Sequence, residues 1–142
     1  MTDTLSKNAP IFLVEDDEVD VEAVRRALKK ANIINPVISA RDGVEALEML
    51  TGEKENEKIL QPCLMLLDIN LPRMGGLKLL QEMRNDKNMK RNVVFMLSTS
   101  ARDEDKIAAY NLQSAGYILK ENLGTLASLL ASYCAINEFP HG

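Results

Sequence analysis

Short, unbroken runs of apolar residues alternate along the chain with stretches whose apolar residues recur every three or four positions. A short unbroken run bounded by turn residues is typical of a strand buried on both faces of a parallel sheet. The clearest run is 63–67, which ends directly in Asp68 and is followed by a turn at Pro72. Runs of this kind predict five strands, at 11–14, 36–40, 63–67, 93–97 and 116–120.

A stretch with helical spacing follows each predicted strand. In the first, Val21, Val24 and Leu28 would form the buried face, and Asp17 lies where a helix-capping side chain is expected. In the fourth, Ser100 and Asp103 fit a capping box, and the spacing predicts that Ile107, Tyr110 and Leu112 face the core. The remaining helices are predicted around 44–50, 77–83 and 123–133.

Strand and helix thus alternate five times, which predicts a parallel sheet with helices on both faces. The expected fold class is α/β, a flavodoxin-like doubly wound (βα)5 domain. The strand order 2-1-3-4-5 is taken from known folds of this class. The whole chain, 1–142, is interpreted as one domain, with 1–9 and 138–142 as flexible termini and 52–61 as an exposed loop.

Composition excludes several kinds of site. The net charge, 17 − 21 = −4, argues against a nucleic-acid surface, and no apolar run is long enough to span a bilayer. Cys63 and Cys134 lie in apolar stretches without metal spacing, which indicates buried thiols in a reducing compartment and a cytoplasmic protein. The only histidine, His141, lies in the tail, so a Ser-His-Asp triad or a zinc site is not expected.

Candidate chemistry comes from the residues at the strand ends. Strand 1 ends in Glu15 and Asp16, strand 3 in Asp68, strand 4 in Ser98, and strand 5 in Lys120. In the expected order strands 1 and 3 are neighbours, and two carboxylates about 4 Å apart repel by about 4 kcal/mol at an intermediate dielectric. Such a group needs a cation or must bind protons, and oxygen ligands favour Mg²⁺. Mg²⁺, a hydroxyl and an ammonium around one carboxylate are an arrangement suited to phosphoryl transfer.

The set Glu15-Asp16, Asp68, Ser98-Thr99 and Lys120 resembles the receiver domain of two-component response regulators, over roughly 10–133. The resemblance implies a phosphoacceptor switch that catalyses its own phosphorylation and dephosphorylation without being an enzyme. The resemblance implies that Asp68 is the phosphoacceptor and that the metal is held by Glu15, Asp16, Asp68 and the backbone carbonyl of Asn70. It implies that Ser98 and Lys120 contact the phosphoryl group, and that Ser98 and Tyr117 are the switch residues.

Within that family the chain is similar to stand-alone regulators paired with phytochrome-type histidine kinases. One position departs from the family pattern, because Glu121 stands where most receivers have a proline after the lysine. In the family that proline follows a cis peptide bond, and a cis bond before a non-proline residue costs about 2.5–4 kcal/mol. We therefore expect either a trans bond at Lys120–Glu121 with a rearranged loop, or a strained cis bond.

The resemblance implies a sensor histidine kinase or a phosphotransfer protein as donor, and output through protein contacts without nucleic acid or membrane. Homodimerisation through helix 4, strand 5 and helix 5 is a further hypothesis. Three alternatives remain. An aspartate-nucleophile phosphatase would need an acid where Asn70 stands. A flavin or nucleotide binder would need a glycine-rich loop. An interaction module that is never phosphorylated would not need the acidic set.

Overall fold

The computed structural model describes the backbone of residues 3–4, 10–53, 59–136 and 138–139, and the side chains of 10–53 and 59–132. Within the described residues between 10 and 136, five strands and five α-helices alternate as predicted. The strands are β1 (Ile11–Val14), β2 (Val37–Ala40), β3 (Leu64–Asp68), β4 (Val93–Ser98) and β5 (Gly116–Leu119). The helices are α1 (Glu18–Lys30), α2 (Gly43–Thr51), α3 (Gly76–Arg84), α4 (Asp103–Asn111) and α5 (Leu123–Ile136), and a single 3₁₀ turn (Lys120–Asn122) joins β5 to α5.

The five strands form one parallel sheet in the order β2-β1-β3-β4-β5, which confirms the expected topology. Near the chain ends, Asp3–Thr4 pairs with Glu138–Phe139 as a short antiparallel ladder. The rest of 1–9 and 138–142 lies outside the described residues, so the flexibility of the termini stays a prediction. Residues 54–58 of the expected exposed loop also lie outside them, but Ile59 in that loop is buried.

The sheet is covered on both faces, which explains why its strands are continuously apolar. On one face Phe12, Val14 and Leu67 pack with side chains of α2 and α3. On the other face Leu13 and Leu66 pack with side chains of α1 and α5. Among the described residues, no helix is both long enough and apolar enough to span a membrane.

Two aspartates cap helices in the structure, and of these Asp17 was predicted from the sequence. Asp17 caps α1 by accepting a hydrogen bond from the Val19 amide at 2.8 Å, and Asp42 caps α2 by accepting one from the Glu45 amide at 2.8 Å. Cys63 is a free, buried thiol as expected, and burial raises its pKa to about 12, so it is not a nucleophile. The side chain of Cys134 lies outside the described residues.

The start and the orientation of α4 were predicted wrongly. Arg102 is the N-cap and makes no side-chain capping bond, whereas Ser100 accepts the Arg102 amide at 3.2 Å. The buried residue of α4 is Ala109, while Ile107 and Tyr110 are 60% and 54% exposed. Ile107 lies about 200° around the helix from Ala109, since each residue turns the helix by about 100°. Two faces of this helix carry apolar residues, and the face with the small residue Ala109 packs on the sheet.

Arg84 holds the end of α4 in place, a role that the sequence did not indicate. Its half-buried guanidinium donates to four backbone carbonyls at 2.7–3.0 Å. These belong to Lys90, Asn92, Leu112 and Gln113. The end of α3 is thereby tied to the segment before β4 and to the turn after α4.

Candidate functional site at the strand ends

The register of the sheet places the polar strand ends side by side. Val14 in β1 lies opposite Leu67 in β3, so Glu15 and Asp68 follow at the same level. Ser98 in β4 pairs with Leu119 in β5, so Lys120 follows one residue later. Because all strands run in the same direction, these side chains meet at one edge, where ligands bind in open α/β sheets.

Asp68 is buried, with 3% of its surface exposed, and both its carboxylate oxygens are engaged. Oδ1 accepts a hydrogen bond from the Asn70 amide at 3.1 Å, and Oδ2 accepts one from Lys120 Nζ at 3.1 Å. These two donors fix the orientation of the carboxylate and leave it facing the other acids of the site.

Lys120 Nζ lies among three carboxylates. It donates hydrogen bonds to Asp20 Oδ2 at 2.8 Å and to Asp68 Oδ2 at 3.1 Å, and it lies 2.6 Å from Glu15 Oε1. Burial alone would lower the pKa of Lys120, but the contacts with Asp20 and Glu15 raise it above its ordinary value. The lysine therefore remains an ammonium ion at the edge of the site.

Glu15 has one oxygen without a hydrogen bond. Oε2 accepts the Asp17 amide at 3.2 Å, but Oε1 contacts Lys120 only as an ion pair, at an angle that does not make a hydrogen bond. Burial raises the pKa of Glu15 to about 7; Lys120 opposes this shift and Asp68 adds to it. Near neutral pH this buried acid is thus balanced between its protonated and ionised forms.

The three acids at the strand ends are arranged as a cation site. One carboxylate oxygen from each of Glu15, Asp16 and Asp68 lies within 4.8 Å of the others, and Asp16 is exposed. Oxygen ligands suit a hard divalent cation that keeps part of its water. The residues therefore fit a metal such as Mg²⁺. The role predicted for the Asn70 carbonyl remains a prediction.

The absence of a side chain at Gly76 allows the loop after Asp68 and the start of α3 to lie close to Asp68. A Cβ atom on Gly76 would lie 2.2 Å from the Asp68 carbonyl oxygen, a separation that side-chain atoms do not tolerate. The Gly76 amide also donates to the Ile69 carbonyl at 2.9 Å. Glycine is therefore required here by the close approach of α3 to the end of β3.

Arg73 connects the same loop to α2. Its guanidinium makes two hydrogen bonds to Asp42, at 2.9 and 3.0 Å, from a backbone with φ of 62°. Burial alone would raise the pKa of Asp42, but the bonds from Arg73 and the Glu45 amide outweigh it and hold that pKa below its ordinary value. One carboxylate thus caps a helix and anchors the loop beside the site.

Ser98 and Tyr117 are connected through Ser100. Ser98 is fully buried, and its Oγ accepts the Ser100 amide at 2.9 Å. The half-buried Tyr117 donates its hydroxyl to the Ser100 carbonyl at 2.9 Å. The residues predicted to form the switch thus bond to the same residue of the β4–α4 loop.

Residues 11–131 match the family model described as the response regulator receiver domain. The chain belongs to this family. The receiver is 37% identical over 120 residues to response regulator Rcp1 of Synechocystis sp. (strain PCC 6803), covering 84% of this chain and 82% of that protein.

Two solved structures are also similar to this receiver. The Mn²⁺-bound form of Rcp1 has a TM-score of 0.80 and 32% identity, covering 94% of this chain and 99% of that one. The phosphorylated cyanobacterial phytochrome response regulator RcpA has a TM-score of 0.80 and 34% identity, with the same coverage. These matches confirm the family recognised in the sequence. They also confirm that the chain is similar to phytochrome-associated regulators.

The peptide bond after Lys120 is trans, which is the first of the two expected alternatives. Gln61–Pro62 is the cis bond found within the described chain. Lys120 instead begins the 3₁₀ turn Lys120–Asn122, and its amine still reaches Asp68. The receiver thus places the ammonium at the site without the proline that most of the family has.

Sequence reasoning found four of the residues that meet here, and it missed Asp20. The structure brings together Glu15, Asp16, Asp68 and Lys120, with Asp20 reaching them from α1. Asp20 lies in the first turn of α1, where an acidic residue is common, so its sequence position gave no specific signal for this contact.

Proposed function

We propose that the chain is a response regulator that accepts a phosphoryl group on Asp68 from a phosphohistidine of a kinase or a phosphotransfer protein. The observation that carries the proposal is the setting of Asp68. It is a buried carboxylate fixed by the Asn70 amide and by Lys120, next to the acids Glu15 and Asp16. Members of the receiver family act as signalling switches, which fits such a centre.

In the proposed transfer, an oxygen of Asp68 forms a bond to phosphorus while the bond from phosphorus to the donor breaks, and the donor keeps the electron pair. Lys120 Nζ, 3.1 Å from Oδ2, is placed to pair with the negative charge that moves onto the phosphoryl oxygens. Mg²⁺, held by Glu15, Asp16, Asp68 and the Asn70 carbonyl, would supply further charge neutralisation when bound. Water would later attack phosphorus and break its bond to the Asp68 oxygen, which restores the carboxylate and releases inorganic phosphate and a proton.

The test is phosphorylation by acetyl phosphate in the presence of Mg²⁺, followed by intact mass measurement. We expect one added phosphoryl group, none after treatment with EDTA, and none in Asp68→Asn. Asp103→Asn, a change at an exposed carboxylate of α4, is the matched control and should be labelled normally. Labelling of Asp68→Asn at the wild-type level would contradict the proposal.

We propose that Ser98 and Tyr117 report phosphorylation to the surface. A phosphoryl group on Asp68 would draw the Ser98 hydroxyl toward it, which would break the bond to the Ser100 amide and shift the carbonyl that Tyr117 holds. The chain has three tyrosines and no tryptophan, so replacing Tyr110 and Tyr133 by phenylalanine leaves Tyr117 as the fluorophore. We expect its emission to change when acetyl phosphate and Mg²⁺ are added. An unchanged emission on full phosphorylation would contradict the switch role.

We further propose that the donor is a phytochrome-type histidine kinase in the cytoplasm. The support is similarity to RcpA, which is described as a phytochrome response regulator. Phosphotransfer from such a kinase should be much faster than from an unrelated histidine kinase under the same conditions. Equal rates from the two kinases would contradict this pairing.

Homodimerisation through α4, β5 and α5 is the proposed output. The exposed apolar side chains of Ile107, Tyr110 and Leu129 on α4 and α5 support it, since they are available to a partner. Sedimentation should show a dimer when a phosphate mimic is bound. A monomer both with and without the mimic would eliminate this output.

A further inference from the structure

Asp20 makes the shorter of the two hydrogen bonds that Lys120 donates. Its Oδ2 lies 2.8 Å from Nζ, whereas Asp68 Oδ2 lies 3.1 Å away. Glu15 Oε1 is nearer, at 2.6 Å, but it forms an ion pair without a hydrogen bond. We propose that Asp20 is a positioning residue, which holds the Lys120 ammonium beside the phosphoacceptor from α1. The inference rests on the proposed function and adds a residue that the receiver motif does not contain.

A simpler role for Asp20 would be to stabilise the positive end of the α1 dipole. Glu18 also serves that role in the first turn of the helix, and it is exposed. Asp20 differs because its side chain is 34% exposed and turns toward Lys120, whose own side chain is 15% exposed. A carboxylate placed beside Glu15 and Asp68 is disfavoured by repulsion, and the bond to Lys120 offsets that cost.

The partners of Lys120 are not equivalent during phosphorylation. When Asp68 becomes an acyl phosphate, its negative charge moves to the phosphoryl oxygens, so the bond from Nζ to Oδ2 must be exchanged for one to phosphate. The bond from Nζ to Asp20 can persist throughout, because Asp20 lies outside the acid trio of Glu15, Asp16 and Asp68. Asp20 would therefore keep the ammonium near the reacting centre both before and after transfer.

The test compares initial rates of labelling by acetyl phosphate, with Mg²⁺ saturating for each variant. We expect Asp20→Ala to react about tenfold more slowly, a typical size for the coupling of two groups in contact. Asp20→Asn keeps an acceptor oxygen and should recover part of the rate. Glu18→Ala removes one carboxylate from the same turn and should react at the wild-type rate, which controls for the change in charge.

A double-mutant cycle separates positioning from a structural effect. If Asp20 acts through Lys120, adding Asp20→Ala to Lys120→Ala should cause no further loss of rate. Equal losses in both backgrounds, or a wild-type rate in Asp20→Ala, would overturn the proposal. Thermal unfolding of each variant identifies any that fail to fold.

A second measurement does not depend on phosphorylation. The ¹⁵N-labelled Lys120 ammonium, assigned by its disappearance in Lys120→Ala, should give a protected NMR signal in the wild type. Asp20→Ala should broaden or remove this signal through faster exchange with water, and a signal unchanged from the wild type would overturn the inference. If the wild type shows this protection but takes no phosphoryl group, the proposed function fails while the placement of Lys120 by Asp20 stands.

Discussion

Gly76→Ala is expected to destabilise the protein by about 2–3 kcal/mol and to slow phosphorylation of Asp68 sharply. The added Cβ would lie 2.2 Å from the Asp68 carbonyl oxygen and 2.9 Å from Ile69 Cα, and both are backbone atoms that cannot turn aside. Relief requires moving the start of α3 away from the end of β3. Such a movement also displaces the Asp68 carboxylate, the proposed phosphoacceptor.

Urea unfolding and the acetyl phosphate assay measure the two effects of Gly76→Ala. Gly124→Ala is the matched control, because a Cβ there has no atom within 4 Å, and a helical alanine is favoured over glycine. Gly75→Ala brings its Cβ to 3.5 Å from the Ile69 carbonyl, an ordinary contact, and should be tolerated. A Gly76→Ala protein as stable as Gly124→Ala would show that the approach of α3 to β3 is less tight than we describe.

Protonation of Glu15 is expected to make metal binding strongly dependent on pH. Its pKa is raised from 4.5 to about 7, and a metal ion requires the ionised carboxylate. Each ion that binds below pH 7 must therefore displace one proton. The affinity for Mg²⁺ should fall about tenfold for each unit of pH below 7 and level off above it. Calorimetric titration with Mg²⁺ at several pH values measures the slope.

The stability of the metal-free protein should fall as the pH rises, whereas its affinity for Mg²⁺ should increase. The folded protein holds the Glu15 proton more tightly than the unfolded chain, so this contribution is complete below pH 4.5 and is lost as the pH rises through 7. The expected loss is on the order of 3 kcal/mol. Saturating Mg²⁺ should restore stability at neutral pH.

Glu15→Gln should remove this component of the pH dependence, whereas Glu22→Gln, at an exposed position of α1, should retain it. Urea unfolding with and without Mg²⁺ at each pH provides the comparison. A Glu15→Gln protein with the same pH dependence as the wild type would assign the titration to another group.

Much of the site was predictable because its residues lie at strand ends. Each apolar run ends at its first polar residue, so Glu15, Asp68 and Ser98 were locatable from the runs before them, although all three are buried in the structure. Their meeting follows from parallel strands in the order 2-1-3-4-5. Asp20 was not predictable in the same way, because a carboxylate in the first turn of a helix is common and its partner Lys120 lies 100 residues away.

The orientation of α4 shows a second limit of the sequence. Ile107 and Tyr110 have helical spacing, and so do Ala109 and Leu112. Periodicity alone favoured Ile107, Tyr110 and Leu112, of which Leu112 packs against the core, and it missed Ala109. The structure places Ala109 against the sheet, and Arg84 fixes the end of the helix through the carbonyls of Leu112 and Gln113. The face that the helix buries is decided by these tertiary contacts.

The sequence by itself determined the fold class and the polar residues at the strand ends, whereas the strand order was taken from known folds of this class. Local patterns encode these features, since burial on two faces requires continuous apolar runs and chemistry follows where they end. Only the tertiary structure decided that Lys120 reaches Asp68 across a trans peptide bond, that Asp20 shares its ammonium, and that Gly76 must lack a side chain. These depend on distances between segments far apart in the chain, which arise only when the sheet and its helices pack together.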